Sequence, residues 1–304
     1  MPILKLPDGG VVETYDPPPR DFNLRAASVA ELERFGLKGL VQDPVLRTRL
    51  ATQLQGVEFT VPTFSPREPT PRVLASLPDA TEGGPPIPHP GWSGAIVRGS
   101  PADPICWVQG AWTAPSMQPP PGGPPGYYAA GAWVGMDGMQ DGTNPSSDIV
   151  QAGCDACLKP EGLLYALWYQ WHPQEPPQEI DLPVTAGDAL EVTIRVDPAS
   201  RTQAAMVVIN RSRGQGRNFV VHGLPGNPLV GNCAEWVVER EPQLGLLGNF
   251  GVVNFTGCAV GAVSGASTHL EFAVPAYMVV RGRVLAQCAL TGPNSCAVRF
   301  NPNP

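Results

Sequence analysis

The chain has 304 residues and a formal net charge of −7, so it lacks the basic surface that nucleic-acid-binding proteins need. Charged residues make up only 15% of it, while 34 glycines and 37 prolines interrupt it, a mixture that favours many short strands joined by turns. No apolar run reaches the roughly 18 residues of a membrane-spanning helix. We therefore expect neither nucleic acid nor membrane as a partner.

The N-terminal third contains two predicted helices. Ser28 and Glu31 form a capping box at the start of the first helix, and Gly36 can end it. Asp43, followed by a proline, is a suitable N-cap for the second helix. Leucines then recur at every fourth position, which is typical of a helix that buries one face.

A segment rich in Pro, Thr, Ser and Gly follows these helices, from residue 62 to 90, and predicts an extended linker or strap. All seven tryptophans lie beyond this segment, between Trp92 and Trp236. The chain therefore divides into an N-terminal extension, 1–88, and a larger domain, 89–304. Nine of the chain's 20 basic residues lie in the extension, so an acidic domain can hold it by charge.

Strand-like runs separated by turn signals fill the rest of the chain. They include residues 94–97, 106–114, 131–137, 148–154, 164–172, 189–196 and 205–210, followed by NFVVHG, AEWVVE, FGVVNF, YMVVRG and VLAQCAL. This spacing predicts an all-β fold, an antiparallel β-sandwich or jelly roll, with a small, partly helical N-terminal extension.

Several predicted strands have one face of unusual composition. Alternation with period two separates the two faces of a strand. Three faces mix residue types in this way. One carries Trp133 with Asp137, one carries Gln151 with Asp155, and one carries Trp168 with Gln170. Core faces are uniformly apolar and outer faces usually carry Lys, Arg, Glu and Thr, so mixed faces of this kind are typical of a binding cleft.

One further strand, CAEWVVE, has a carboxylate beside a tryptophan. Ala234, Trp236 and Val238 alternate with Glu235 and Val237, the pattern of a half-buried strand. Trp236 is therefore expected in the core and Glu235 on the opposite face. In an isolated strand Glu235 would simply face solvent, so its role depends on the other segments.

Four segments taken in order carry a family resemblance. They are AGAWVGMDG at 130–138, DIVQAGCD at 148–155, LWYQWHP at 167–173 and NCAEWVVE at 232–239. Together with VQGAWTAP and FGVVNF, they resemble the signature segments of the glutamic peptidases, also called eqolisins. The resemblance covers about residues 90–300, and its specificity lies in the ordered set.

The resemblance implies a jelly-roll sandwich similar to the concanavalin A-type lectins, and an acid endopeptidase that uses no metal and no cofactor. The family's catalytic glutamine and glutamate fall on Gln151 and Glu235. Its substrate-binding positions fall on Trp133, Asp137, Trp168 and Gln170.

The chemistry of amide hydrolysis fits this pair of residues. The reaction needs a nucleophilic water, a stabiliser for the oxyanion and a proton for the leaving amine. One carboxyl group can act first as base and then as acid, which suits Glu235. A neutral amide such as Gln151 can stabilise the oxyanion without titrating. Val237, next to Glu235 on the same face, would keep the pKa of that carboxyl high.

Two other functions stay open. Family members usually carry acids where this chain has Ala166 and Gln170, so an inactive relative that serves as a binding module is one alternative. A carbohydrate-active or lectin-like sandwich is the other. A glycosidase would need a second carboxyl group beside Glu235, and Asp137 and Glu239 are both candidates. That interpretation leaves the glutamine unexplained.

We expect a monomer that acts on a polypeptide substrate. The resemblance implies secretion, although MPILKLPDGG lacks the apolar segment of a secretory signal. The seven cysteines match neither a full disulfide set nor a zinc cluster. CDAC at 154–157 predicts a turn whose two thiols can form a local disulfide, and Cys233 is predicted to pair with Cys258 across a hairpin.

Overall fold

Two β-sheets packed face to face form the protein, as seen in a computed structural model that describes residues 3–6, 10–67, 84–139, 146, 148–224 and 226–303. The strands in chain order are β1 (Ile3–Lys5), β2 (Val11–Thr14), β3 (Glu58–Phe59), β4 (Phe64–Pro66), β5 (Ile87–His89), β6 (Trp92–Arg98), β7 (Ile105–Thr113), β8 (Tyr128–Asp137), β9 (Ile149–Lys159), β10 (Gly162–His172), β11 (Gln178–Ile180), β12 (Ala189–Val196), β13 (Gln203–Asn210), β14 (Gln215–His222), β15 (Cys233–Glu239), β16 (Leu246–Leu247), β17 (Val252–Ala262), β18 (Ser267–Thr268), β19 (Val274–Val280), β20 (Arg283–Gly292) and β21 (Ser295–Phe300). The helices are α1 (Val29–Arg34), α2 (Pro44–Gln53) and a 3₁₀ turn at Leu270–Phe272. The predicted all-β sandwich is confirmed.

The front sheet has the order β4–β11–β10–β9–β8–β15–β6–β19–β20–β21, and the back sheet has the order β1–β2–β14–β13–β12–β7–β17–β18. These pairings are antiparallel, and short parallel strands flank them: β5 beside β19, β16 beside β8, and β3 beside β14. β17 joins the two sheets, because its first residues pair with β21 and its later residues pair with β7.

The core lies between the sheets and is built from alternate residues of each strand. From the front sheet it takes Ala132, Val134, Met136, Val150, Ala152, Cys154, Leu167, Tyr169, Trp171, Ala234, Trp236 and Val238. Trp236 crosses the core, and its indole Nε1 donates a 3.0 Å hydrogen bond to the backbone oxygen of Gln109 in β7. Gly110 admits the ring, since a Cβ there would come within 2.5 Å of the indole nitrogen. The prediction that Trp236 lies in the core is confirmed.

Both predicted helices are confirmed, with their predicted caps. The Ser28 side chain and Glu31 form the capping box of α1, and the Asp43 carboxylate accepts the backbone N–H of Leu46 at 2.9 Å. Asp43 also accepts the indole N–H of Trp107, 3.1 Å away on the outer face of the back sheet. The N-cap of α2 therefore also attaches the extension to the sandwich.

The extension packs against the back sheet through a second apolar cluster. Its leucines, with Phe35, Val57 and Phe59, cover Trp107, Val207, Ile209 and Ala259 of the outer sheet face. Its strands also join both sheets, because β2 pairs with β14 and β4 pairs with β11. Of the predicted strap, 62–90, residues 68–83 lie outside the described residues, and short strands β4 and β5 lie near its two ends.

The two cysteine pairings predicted from the sequence are wrong. Cys154 and Cys157 lie within β9 rather than in a turn, and their odd separation directs them to opposite faces of the sheet. β15 pairs with β6 and β8, so it forms no hairpin with β17. Cys233 lies in the apolar cluster on the front face, whereas Cys258 lies in the core between the sheets, and both are free thiols.

The packing of α2 predicts that the extension unfolds together with the sandwich. Leu50 is fully buried in the second cluster, so Leu50→Ala should lower the free energy of unfolding by about 2–5 kcal/mol. Val45→Ala is the matched control, because Val45 is exposed on the same helix and its loss should cost about 0.5 kcal/mol or less. Urea unfolding followed by far-UV circular dichroism measures both. If Leu50→Ala lowered the free energy of unfolding by no more than Val45→Ala does, the packing of α2 would contribute nothing to the stability of the sandwich.

Candidate active site

The predicted catalytic residues lie in one row across the front sheet. In the register of the strands, Gln151 of β9 and Glu235 of β15 are both opposite Gly135 of β8. Gln170 of β10 extends the row on one side and Ile96 of β6 on the other. These residues share the sheet face that points away from the core, because their chain neighbours fill the core. We call this line of residues the Gly135 row.

Gly135 places no side chain of its own between Gln151 and Glu235. A Cβ at this position would come within 3.1 Å of the Cβ of Gln151 and within 3.1 Å of the ring of Trp133. Neighbouring strands lie about 4.8 Å apart, so the Cα atoms of Gln151 and Glu235 are separated by about 10 Å. Two long side chains that extend over a glycine can act on one small group at that separation.

The amide of Gln151 is held by a chain of hydrogen bonds. Its Nε2 donates to Oε1 of Gln170 at 3.0 Å, and Nε2 of Gln170 donates to the backbone oxygen of Glu175 at 3.0 Å. Gln170 accepts a hydrogen bond from one amide and donates a hydrogen bond to a carbonyl, so its own orientation is fixed. Its oxygen in turn directs the nitrogen of Gln151.

Glu235 has apolar neighbours on its sheet face and accepts a hydrogen bond from a thiol. Val237 and Ile96 belong to the apolar cluster on this face, and the thiol of Cys233 donates to Oε1 of Glu235 at 3.2 Å. Burial raises the pKa of Cys233 well above its usual value, so the thiol keeps its proton and remains a donor. Gln151 is 0% exposed and Glu235 is 2% exposed, so the described conformation shields the row from solvent.

Two tryptophans form the next row of this face. Trp133 of β8 and Trp168 of β10 flank Gly153 of β9, where a Cβ would come within 2.4 Å of the Cβ of Trp133. Each indole N–H donates to a carboxylate, from Trp168 to Asp155 at 2.8 Å and from Trp133 to Glu239 at 2.9 Å. The two rings are therefore fixed as a wall beside the Gly135 row.

Asp137 lies at the end of β8, beyond the Gly135 row. Its carboxylate accepts the backbone N–H groups of Val230, Gly231 and Asn232 at 2.6, 3.0 and 2.8 Å. This loop leads directly into β15, which carries Glu235. Burial raises the pKa of Asp137, and the three N–H donors oppose that rise. These three hydrogen bonds therefore position the start of β15.

Three further residues of this face make contacts that the sequence did not predict. Cys233, Glu239 and Asp155 contact the candidate residues, and their odd numbers in β15 and β9 already placed them on the same faces as Glu235 and Gln151. The bond from Gln151 to Gln170 joins two strands and has no local signal in the sequence. Within the described ranges, no group of three His, Cys, Asp or Glu side chains is arranged to hold a metal ion.

Comparisons with known proteins agree with this architecture. The model of the peptidase A4 family matches residues 90–300. Aspergillopepsin-2 from Aspergillus niger is 32% identical over 195 residues, which are 58% of this chain and 65% of the relative. The chain thus spans less than two thirds of the length of that relative. No helix in the described part of the chain is long and apolar enough to cross a membrane.

Solved structures share the fold of the sandwich. Scytalido-glutamic peptidase, bound to a peptide-based transition-state analogue, superposes with a TM-score of 0.57 at 23% identity, over 70% of this chain and 99% of that one. Aspergilloglutamic peptidase from Aspergillus niger superposes with a TM-score of 0.50 at 28% identity, over 57% of this chain and 99% of that one. The helical extension lies outside the range of the family match.

The burial of Asp137 predicts how stability depends on pH. A carboxyl group whose pKa is raised in the folded state stabilises the fold below its unfolded pKa, about 3.9, and this contribution is lost as the pH rises through the folded pKa. The difference in unfolding free energy between wild type and Asp137→Asn should therefore be largest near pH 3 and should shrink towards neutral pH. Denaturant unfolding at several pH values measures it. A difference that grows with pH would show that the N–H donors outweigh burial.

Proposed function

The chain belongs to the peptidase A4 family, a family of peptide-bond hydrolases, and from this premise we propose that it is an acid endopeptidase with a catalytic pair formed by Gln151 and Glu235. One observation carries the proposal: the two side chains flank Gly135 in a single row, on the sheet face opposite the core. A peptide bond lying over the glycine would have an amide donor on one side and a carboxyl group on the other.

Glu235 acts first as a base and then as an acid in this mechanism. Its carboxylate takes a proton from a water that attacks the peptide carbonyl, and it then gives that proton to the leaving nitrogen. The apolar neighbours Val237 and Ile96 support this role, because a low dielectric strengthens the interaction of the carboxylate with the water. Trp236 holds the strand from the core side.

Gln151 stabilises the oxyanion of the tetrahedral intermediate. Gln170 accepts a hydrogen bond from its amide nitrogen and so orients it, and we assign this amide as the donor to the oxyanion. A donor that is already oriented does not have to reorganise when charge develops on the oxygen, which is the basis of this kind of catalysis. Gln170 is thus a positioning residue for Gln151, and no metal or cofactor takes part.

The tryptophan row gives the substrate a wall on one side of the catalytic pair. Trp133 and Trp168 are fixed by carboxylates, so they can pack against substrate side chains with little loss of side-chain entropy. Asp137 contributes to catalysis indirectly, because it holds the loop that leads into β15, the strand that carries Glu235. The substrate is a polypeptide in this proposal, and the catalytic unit is a monomer.

Substitution of the pair tests the mechanism. Glu235→Gln should abolish hydrolysis of casein at pH 3–5, because neither base nor acid remains. Gln151→Ala should lower kcat by about a hundredfold or more, as for other oxyanion donors. Both variants should stay folded, since neither side chain contributes to the core between the sheets.

Glu161→Gln is the matched control for these variants. Glu161 is exposed in the turn between β9 and β10, ten residues beyond Gln151, so its loss should leave the rate unchanged. If Glu235→Gln, with a native circular dichroism spectrum, hydrolysed casein as fast as Glu161→Gln at every acid pH, Glu235 would not be the catalytic carboxyl group.

We also propose that residues 1–88 act as a propeptide. Two observations support this: the catalytic pair is shielded from solvent, and Arg67 of the extension forms a 2.6 Å ion pair with Asp155 on the active-site face. Protonation of Asp155 in acid would remove this ion pair. The helices α1 and α2 pack against the back sheet, so they can remain bound after a cut further along the chain.

Acid incubation of the full chain tests the propeptide. Mass spectrometry should show cleavage between residues 57 and 90 at about pH 3–4, with activity rising as the cut form accumulates. The N-terminal fragment should co-elute with the sandwich on size exclusion, because its leucines stay buried. The Glu235→Gln protein should remain uncut. A wild-type chain that stays intact and is fully active in acid would refute the propeptide.

A further inference from the structure

The thiol of Cys233 is in direct contact with the carboxyl group of Glu235. The two residues lie two positions apart on the same face of β15, and the Sγ of Cys233 donates to Oε1 of Glu235 at 3.2 Å. Cys233 is 0% exposed and Glu235 is 2% exposed. In this conformation neither group can exchange the hydrogen bond for one to bulk water. The contact is therefore part of the enclosed site, and it is not a chance approach of two surface groups.

The sulfur atom of Cys233 is itself held by the loop after β8. The backbone N–H of Met139 donates a hydrogen bond to this sulfur. The backbone oxygen of Met139 accepts the side-chain N–H of Asn232 at 2.9 Å, and the backbone N–H of Asn232 donates to Asp137 at 2.8 Å. Since the sulfur accepts from Met139, its single proton is directed to Glu235. The contacts that position the start of β15 thus also orient the thiol.

The thiol remains a donor over the whole acid range. Burial raises the pKa of Cys233 well above its usual value, and the negative charges of Glu235 and Asp137 add to this rise. Even an unperturbed cysteine keeps its proton below about pH 8. A histidine at this position would instead change its charge between about pH 5 and 8. Cys233 can therefore donate to the carboxyl group at every pH at which an acid peptidase works.

The register of the strands shows in which direction the thiol draws the carboxyl group. The pairing of β15 with β8 places Cys233 level with Asp137, one row beyond the Gly135 row. Trp133 is opposite Val237, one row to the other side. The hydrogen bond therefore draws Oε1 of Glu235 towards the Asp137 end of the face. This direction leads away from the tryptophan wall, against which we expect the substrate to pack.

Charged groups of both signs lie near Glu235, and none of them depends on the thiol. In the strand register they lie one or two rows away: Arg98 of β6, Asp137 of β8, Glu239 of β15 and Asp155 of β9. A substitution of Cys233 leaves all four in the sequence. A change in the titration of Glu235 that follows such a substitution can then be assigned to the lost donor.

We propose that Cys233 is a positioning residue of the catalytic site, whose thiol fixes Oε1 of Glu235 and stabilises the carboxylate with which the reaction begins. The inference rests on the proposed peptidase function and deepens it. A glutamate side chain has three rotatable bonds, and a misplacement of about 1 Å can cost about a hundredfold in rate. Cys233 thus orients Glu235 as Gln170 orients Gln151.

Substitutions of Cys233 test this role through the pH profile of peptide hydrolysis by acid-processed protein. Cys233→Ala removes a donor to the charged form of Glu235. The acid limb of kcat/KM should therefore move up by about 0.5–1 pH unit, the shift that one hydrogen bond allows. We also expect kcat to fall about tenfold with little change in KM, because the thiol contacts the carboxyl group and not the substrate. Cys233→Ser keeps a donor and should restore the position of the limb.

Cys106→Ala is the matched control, because Cys106 is also a buried thiol but lies on the outer face of the back sheet, so the limb should stay in place. If the alanine and serine variants of Cys233 lose activity equally and keep the wild-type limb, the thiol only fills space. The proposal is then refuted and the peptidase function stands. If wild type hydrolyses no peptide, the peptidase function fails, and infrared absorption decides whether the thiol holds the carboxyl group.

The S–H stretching band of Cys233 can be followed without turnover. It is isolated as the difference between the full-length wild type and Cys233→Ser, from about pH 8 to about pH 3, which spans ordinary and raised carboxyl pKa values. The band should move to higher frequency as Glu235 takes up a proton, because a neutral carboxyl group is a weaker acceptor than a carboxylate. The same difference in a Glu235→Gln background should not move with pH. A wild-type band that is independent of pH, or one that moves equally in the Glu235→Gln background, would overturn the proposal.

Discussion

The active-site face depends on the register of three strands. β8 lies between β9 and β15, and its Gly135 is opposite Gln151 on one side and Glu235 on the other. A shift of one residue in the pairing of β9 or β15 with β8 would turn every side chain of the shifted strand to the other face. In β15 it would place Trp236 where Glu235 now lies. The core prevents such a shift, because Trp236 spans it to reach β7.

Local pattern was sufficient to predict which residues share a face. Alternation correctly separated Trp236 from Glu235, and the cap residues Ser28 and Asp43 correctly marked the starts of both helices. Pairing was harder, because period two identifies a face but not a partner strand. The predicted hairpin of β15 with β17 failed for this reason: β15 is flanked by β6 and β8, which lie far from it in sequence.

The role of the extension could likewise be identified only from the fold. The sequence predicts leucines on one helix face, but the residues that cover them, such as Trp107 and Ile209, come from distant strands. Likewise, no local signal joins Arg67 to Asp155, since the two meet only when β4 aligns with β11 at the sheet edge. One segment thus stabilises the back sheet and supplies a cation to the front sheet.

The central claim is that Gln151 and Glu235 act on one bond over Gly135, and a crystal structure with a bound peptide-based transition-state analogue tests it most directly. We predict that the tetrahedral centre lies above Gly135, with one oxygen about 2.7–3.1 Å from Nε2 of Gln151 and the other in contact with the carboxyl group of Glu235. An analogue bound elsewhere on the sandwich, or one whose tetrahedral centre contacts neither side chain, would contradict this account.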